Sequence, residues 1–192
     1  MKNALILALL FAISCKSDDP TPTVDVLSTF LKEKADLQIN TRVNDITWEL
    51  GTVISSSKTG TVTHLGTNMP SAGKYYVSLW DHDTKSQLAA VQIDQGLELT
   101  MRSITPVKIE AGKKYVLSIL ARNLNTGNRT GYKVITSNEG SSARILPFTH
   151  DFLTYHEACY TQNSISQPLF PGVVTGVLNE MYGLPDFRFQ AD

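Results

Sequence analysis

Short apolar runs at period two, each closed by a cluster of turn-forming residues, constrain this chain more than any other feature. In GLELTMR, residues 96–102, Leu97, Leu99 and Met101 alternate with Glu98, Thr100 and Arg102, the pattern of a strand with one face in water. GKYYVSLW and GKKYVLSIL are richer in apolar residues on both faces, as central strands of a sandwich are. Further strands are expected over 47–54, 61–67, 87–94, 131–136 and 186–190. The segments SSSKTG, NMPSAG, DHDTKS, TPVKIEAG and NLNTGNRTG supply turns between them. Short strands at this spacing, with no long helical pattern between them, predict an all-β fold: an antiparallel β-sandwich of immunoglobulin-like or jelly-roll-like form. Two stretches depart from the pattern. Val26, Leu27, Phe30 and Leu31 recur at helical spacing and predict a short N-terminal helix within 24–37. Residues 137–185 show little periodicity and read as one long irregular loop, the kind of segment on which a sandwich mounts a binding site.

The N-terminus reads as a separate physical object. Lys2 is the only charge before Lys16, and residues 4–13 are apolar but far short of the roughly 20 residues a bilayer-spanning helix needs. The expectation is a signal peptide over residues 1–14. Ala12, Ile13, Ser14 and Cys15 resemble the lipobox of bacterial lipoproteins, which implies cleavage before Cys15 and acylation of its sulfur. Each buried methylene of an acyl chain contributes about 0.8 kcal/mol, so two or three chains hold a protein on a membrane without spanning it. The alternative is a plain secretory peptide cleaved elsewhere. Residues 16–23 contain Ser17, Asp18, Asp19, Pro20 and Pro22 and no apolar side chain, as expected of a solvated tether reaching on the order of 15 to 25 Å. Lys16 after the cysteine is similar to the pattern of lipoproteins released to the outer membrane of Gram-negative bacteria. Asp18 and Asp19 resemble a signal for display on the cell exterior, with an ordinary linker as the alternative reading.

Residues 24–192 are then one domain's worth of chain, able to bury roughly two thirds of the surface its unfolded form exposes. With Cys15 acylated, Cys159 is the only remaining thiol, and no internal disulfide is expected. The balance of 17 basic and 18 acidic residues lacks the basic excess of a nucleic-acid binder, and no nucleic-acid partner is expected.

Three segments, WELGTVISSSKTGTVTHLG, GKYYVSLWDHDTKSQLAAVQI and TPVKIEAGKKYVLSI, resemble a domain of unknown function found in extracellular bacterial proteins, often beside carbohydrate-active or adhesion modules. Glu49, Leu50 and Gly51 match its opening strand, Val77, Leu79 and Trp80 its second motif, and Pro106, Val107, Ile109, Ala111, Gly112, Tyr115 and Val116 its third. The likeness covers residues 48–120 and, more weakly, the stretch from Tyr160 onward. It implies a sandwich with an accessory binding role and no catalytic residue.

His150, Asp151, His156 and Glu157 beside Cys159 invite a metal reading, but their spacing fits no common zinc signature, and solvated polar groups beside a buried thiol explain them as well. Asp81, His82 and Asp83 supply too few oxygens for calcium, and aspartate forms turns in any case. No Gly-x-Ser-x-Gly elbow occurs, and Cys159 has no partner pattern beyond His156. Trp48 and Trp80 fall on expected strands and are assigned to the core or its margin. Tyr155, Tyr160 and Tyr182 fall on the expected loop. Sugar rings stack their C–H faces on such aromatics, and a glycan site at Tyr155, Tyr160 and His156 is the leading expectation. No catalytic residue, metal or cofactor is assigned.

The whole reads as a lipid-anchored outer-membrane protein facing the cell exterior, a non-enzymatic binding or accessory module for extracellular carbohydrate. A structural or adhesion subunit docking an envelope protein through a strand edge is the first alternative, and a small metal-dependent hydrolase built on the histidine segment the second. The lipobox reading has a direct check. The mature protein is expected to enter the detergent-rich phase on phase separation, and Cys15→Ser to move it to the aqueous phase.

Overall fold

The computed structural model describes residues 24–43, 45–140 and 142–192, so Cys15 and the tether lie outside the described residues. Strand β1 (Val24–Asp25) leads into α1 (Val26–Glu33), followed by β2 (Leu37–Arg42), β3 (Trp48–Ser56), β4 (Gly60–Thr67), β5 (Gly73–Asp81), β6 (Gln87–Gln95), β7 (Thr100–Ile109), β8 (Lys114–Leu120) and β9 (Tyr132–Ser137). Then come β10 (Phe148–His150), β11 (Leu153–Gln162), β12 (Val173–Val177), β13 (Glu180–Tyr182) and β14 (Asp186–Ala191). The fold is the expected all-β sandwich, and every pairing in it is antiparallel. A seven-stranded sheet runs β10-β11-β3-β8-β5-β6 with β12 also on β11. A four-stranded sheet runs β1-β14-β4-β7, and a three-stranded sheet runs β13-β9-β2.

Alternation along the strands of the large sheet sends one set of side chains into the main core. Leu50 and Ile54 of β3, Tyr75, Val77 and Leu79 of β5, and Tyr115, Leu117 and Ile119 of β8 meet Val62 and Leu65 of β4 and Phe187 and Phe189 of β14. The opposite face is buried as well. Val53, Trp80, Val116 and Cys159 form a second cluster there, with Phe170 packed against it. Burial on both faces is why GKYYVSLW and GKKYVLSIL lack a clean polar set.

The short helix is present, and a distant residue caps it. Asp186 at the start of β14 accepts from the backbone N–H groups of Leu27 and Ser28, both at 3.0 Å, and from Ser28 Oγ at 2.7 Å. These donors are the ones a helix N-terminus leaves unpaired. Asp25, the local cap position, turns instead to Arg188 at 2.6 Å. Phe30 completes the attachment by stacking on Phe148, with ring centroids 3.8 Å apart.

Two expectations need correction. Residues 137–185 are not a long loop, because they contain β10, β11, β12 and β13. Their periodicity is broken by a bulge at His156, where the register jumps from Tyr155 opposite Ile54 to Glu157 opposite Val53. Leu153 and Tyr155 point into the main core before the bulge and Ala158 after it, so no single alternation spans the strand. TPVKIEAG is not a turn either, since β7 runs through Pro106 to Ile109. Proline is tolerated because β7 is the last strand of its sheet and pairs only with β4, beside a register shift between Val62 and His64. Strand β2 was not expected, since LQINTR is almost entirely exposed and is defined by its pairing with β9.

Gly51 sets how closely β3, β8 and β11 pack. A Cβ there would stand 2.7 Å from Leu117 O, 3.1 Å from Ser118 Cβ and 3.3 Å from Cys159 Sγ. Because the nearest neighbour is backbone, it cannot turn aside. Gly51→Ala is expected to lower unfolding stability by about 2 kcal/mol, read from urea denaturation.

Candidate functional site

An aromatic cavity lies where the large sheet meets the three-stranded one. Trp48 and Leu50, two apart on β3, share the inward face, and Tyr160 of β11 stands opposite Leu50 in the register. Tyr132 of β9 and Tyr182 of β13 close the other side, and Arg42 at the end of β2 stands at the rim. Together they line a cavity of about 190 Å³. The rings meet at steep angles: Trp48 and Tyr160 at 5.3 Å and 84°, Tyr160 and Tyr182 at 6.1 Å and 81°, and Tyr132 and Tyr182 at 6.4 Å and 88°. Edge-to-face contacts are a favoured aromatic geometry and hold the walls without filling the space between them. Tyr132 and Tyr182 are buried, whereas Trp48 and Tyr160 are half-buried and border the opening.

The rim is fixed by charge. Arg42 donates Nη1 to Glu180 Oε2 at 2.9 Å and Nη2 to Oε1 at 2.8 Å, a two-pronged pair, and Glu180 also accepts from the Tyr182 hydroxyl. The bond from Arg42 holds the Glu180 carboxyl below its ordinary range, and the same bond raises the guanidinium. Burial first, then the Glu180 bond, pushes the Tyr182 hydroxyl up, so it stays a neutral donor. Both Glu180 oxygens are therefore engaged and ionised, a poor state for proton abstraction.

On the other face of β3, residues 163–172 form a strap over a buried polar cluster. Glu49 is fully buried and accepts from Ser118 Oγ at 2.6 Å, Asn163 Nδ2 at 3.2 Å and the Leu169 N–H at 3.3 Å. Trp80 Nε1 donates to the same Ser118 hydroxyl at 2.9 Å, and Phe170 meets the Trp80 ring edge-on at 5.9 Å. Burial pushes the Glu49 carboxyl up to about 7 against the pull of those bonds.

Tyr160 lines the aromatic cavity, but Tyr155 does not. Its ring is 1% exposed in the main core and stacks on Phe148 at 4.8 Å, so its assignment to a loop site is corrected to a core position. The four intervening positions include the bulge, which keeps both tyrosines on the inward side while only Tyr160 reaches the opening. His156 sits at the bulge with Nε2 2.8 Å from Ser55 Oγ, and burial lowers its pKa. It does not line the cavity. His150 packs edge-on against Phe30, and among the described residues no group of three or more His, Cys, Asp or Glu converges on a metal-sized space. Cys159 is buried, with its thiol pushed well up by desolvation. Asp81 serves its own turn: Oδ1 accepts from the Asp83 and Thr84 N–H groups and Oδ2 pairs with Lys113 at 2.7 Å, holding its carboxyl at about 2. Trp80 is in the second core and Trp48 packs at the margin of the main core, both as expected, and Trp48 also lines the cavity.

No family model matches this chain, and no curated protein matches it. The cavity is thus described by its own chemistry: four aromatic rings, one aliphatic floor residue and a neutralised ion pair at the rim.

The Glu49 cluster has a measurable consequence. With a folded-state value near 7 against an ordinary 4.5, the folded chain holds a proton that the unfolded chain releases. Its contribution to stability is complete below pH 4.5 and is lost as pH rises through 7. Glu49→Gln keeps the volume and removes the titration. Relative to that variant, the parent protein is expected to lose roughly 3 kcal/mol between acid and mildly alkaline pH, at 1.36 kcal/mol per pKa unit, followed by urea unfolding across the range.

Proposed function

We propose that this protein is a lipid-anchored, non-enzymatic binding module of the outer membrane that holds extracellular carbohydrate in the cavity walled by Trp48, Tyr132, Tyr160 and Tyr182. The single observation that carries this reading is the cavity itself. It is concave and walled mainly by aromatic rings, with tyrosine hydroxyls and the Arg42 guanidinium as its polar groups, an arrangement that suits the apolar C–H face of a sugar together with its hydroxyls. At about 190 Å³ it is smaller than the roughly 300–1,000 Å³ of sites that enclose whole drug-sized ligands. One ring of a longer chain, with its neighbours in solvent, suits that size.

The chemistry of the walls favours binding over hydrolysis. Glycosidases place paired carboxylates about 5 to 9.5 Å apart across the scissile bond. No carboxylate lines this cavity among the described residues, and Glu180 at its rim is saturated by Arg42 and Tyr182. The lipobox and tether support a place on the membrane surface, facing the cell exterior, where a polysaccharide is within reach.

One observation favours a second reading, an adhesion or structural subunit. Strand β6 ends the seven-stranded sheet, pairs among the described strands only with β5, and exposes Leu88 on an edge where Arg102 Nη1 of β7 donates to Gln92 O. Extended segments of partner proteins add to edges of this kind.

A glycan array separates the two. The full chain in detergent micelles is expected to retain specific glycans, and Tyr160→Ala to weaken them at least about tenfold, equivalent to about 1.4 kcal/mol. Tyr155→Ala lies in the core and is not a suitable control. A blank array with correctly folded protein overturns the carbohydrate reading in favour of the protein partner.

A further inference from the structure

A second concavity, of about 490 Å³, is lined by Asp45, Thr47, Arg122, Gly127, Asn128 and Arg129. Consecutive residues link it to the aromatic cavity: Thr47, just before β3, lines the second and Trp48, the first residue of β3, lines the first. The backbone ties them together, because the Ala121 N–H donates to Trp48 O at 2.8 Å and Arg122 follows directly. Arg122 in turn bridges antiparallel to Arg129, which sets two guanidinium-bearing residues side by side on the new groove.

Both side chains are held in place largely by groups that leave their charge standing. Arg122 donates Nε to Gly127 O at 2.8 Å and Nη1 to Ser164 O at 3.4 Å, contacts that do not use Nη2. Among the described residues it has no carboxylate partner. Arg129 donates Nη1 to Asp45 O at 2.7 Å and stands 3.6 Å from the Asp45 carboxylate, which is fully in water. An exposed pair at that distance is weak and salt-screened. Backbone carbonyls thus fix the guanidinium planes in advance, which lowers the entropy cost of binding an anion, and the planar fork matches carboxylate and sulfate oxygens. Arg42, by contrast, is neutralised by Glu180, so the aromatic cavity itself is uncharged.

We propose that the carbohydrate is an acidic polysaccharide, with one ring on Trp48 and Tyr160 and the carboxylate or sulfate of a neighbouring ring in the groove between Arg122 and Arg129. This rests on the carbohydrate reading of the aromatic cavity and names the class of glycan it takes.

The test uses the full chain in detergent micelles with matched probes: alginate and polygalacturonate beside their carboxyl-reduced forms, and chondroitin sulfate beside its desulfated form. Affinity electrophoresis at low and high salt reads binding. The acidic form is expected to bind about tenfold or more tightly than its neutral counterpart at low salt, the preference shrinking as salt rises. Arg122→Gln with Arg129→Gln is expected to bring the acidic form down to the neutral one, while Tyr160→Ala weakens both. Preference for the carboxylated or the sulfated probe identifies the anion. The salt series on the unaltered protein needs no variant, so a folding defect in the arginine pair leaves the test intact. Equal binding of acidic and neutral forms, lost in Tyr160→Ala, overturns the proposal and leaves the carbohydrate reading standing. Binding of none of these probes, nor of any glycan on the array, overturns both.

Discussion

The pairing of β3 with β11 is the interaction on which the rest of the molecule depends. It joins residues 97 to 114 positions apart and places different chemistry on the two sides of one ribbon. On the inward side, Trp48 and Tyr160 form the open corner of the aromatic cavity. On the outward side, Glu49 lies beneath the strap and Gly51 sits opposite Cys159 with no room for a side chain between them and β8. The bulge at His156 keeps this arrangement in phase. Without the extra residue, the strand beyond it would turn Tyr160 away from the cavity and Cys159 toward the main core.

Polar groups inside this sandwich are treated in two contrasting ways. At the cavity rim the Glu180 carboxylate is matched by a two-pronged guanidinium and stays ionised. Beneath the strap Glu49 has hydrogen-bond donors but no cation among them, so desolvation outweighs the bonds and its carboxyl titrates near neutrality. Asp186 follows the second pattern, with burial raising its carboxyl against four donors, and in doing so it ties α1 to the last strand. The arginines of the neighbouring groove present the reverse case, fixed mainly by neutral carbonyls with their charge facing outward. Together these choices leave an uncharged aromatic recess beside a cationic one.

Much of the fold was legible from local pattern. The strands at 48–56, 60–67, 73–81, 87–95, 114–120, 132–137 and 186–191 stand within a few residues of their expected places, and the helix lies inside the stretch that predicted it. The site was legible only in part. Tyr160 was identified, but it was grouped with Tyr155 on a loop that is in fact a bulged strand. Trp48 stands at the core margin, as its strand position predicts, but Arg42, Tyr132 and Glu180 carry no local signal, because what makes them neighbours is the pairing of β9 with both β2 and β13.

The sequence by itself determined that the chain forms antiparallel strands, that its centre is apolar on both faces, and that a short helix precedes them, because alternation, turn chemistry and helical spacing are properties of neighbouring residues. Only the tertiary structure decided which aromatic residues line a cavity and which fill the core, where the arginines stand, and which carboxylates are neutralised. Those outcomes depend on register between strands distant in sequence, where a one-residue shift exchanges the two faces of a sheet, and no local pattern encodes that register across a bulge.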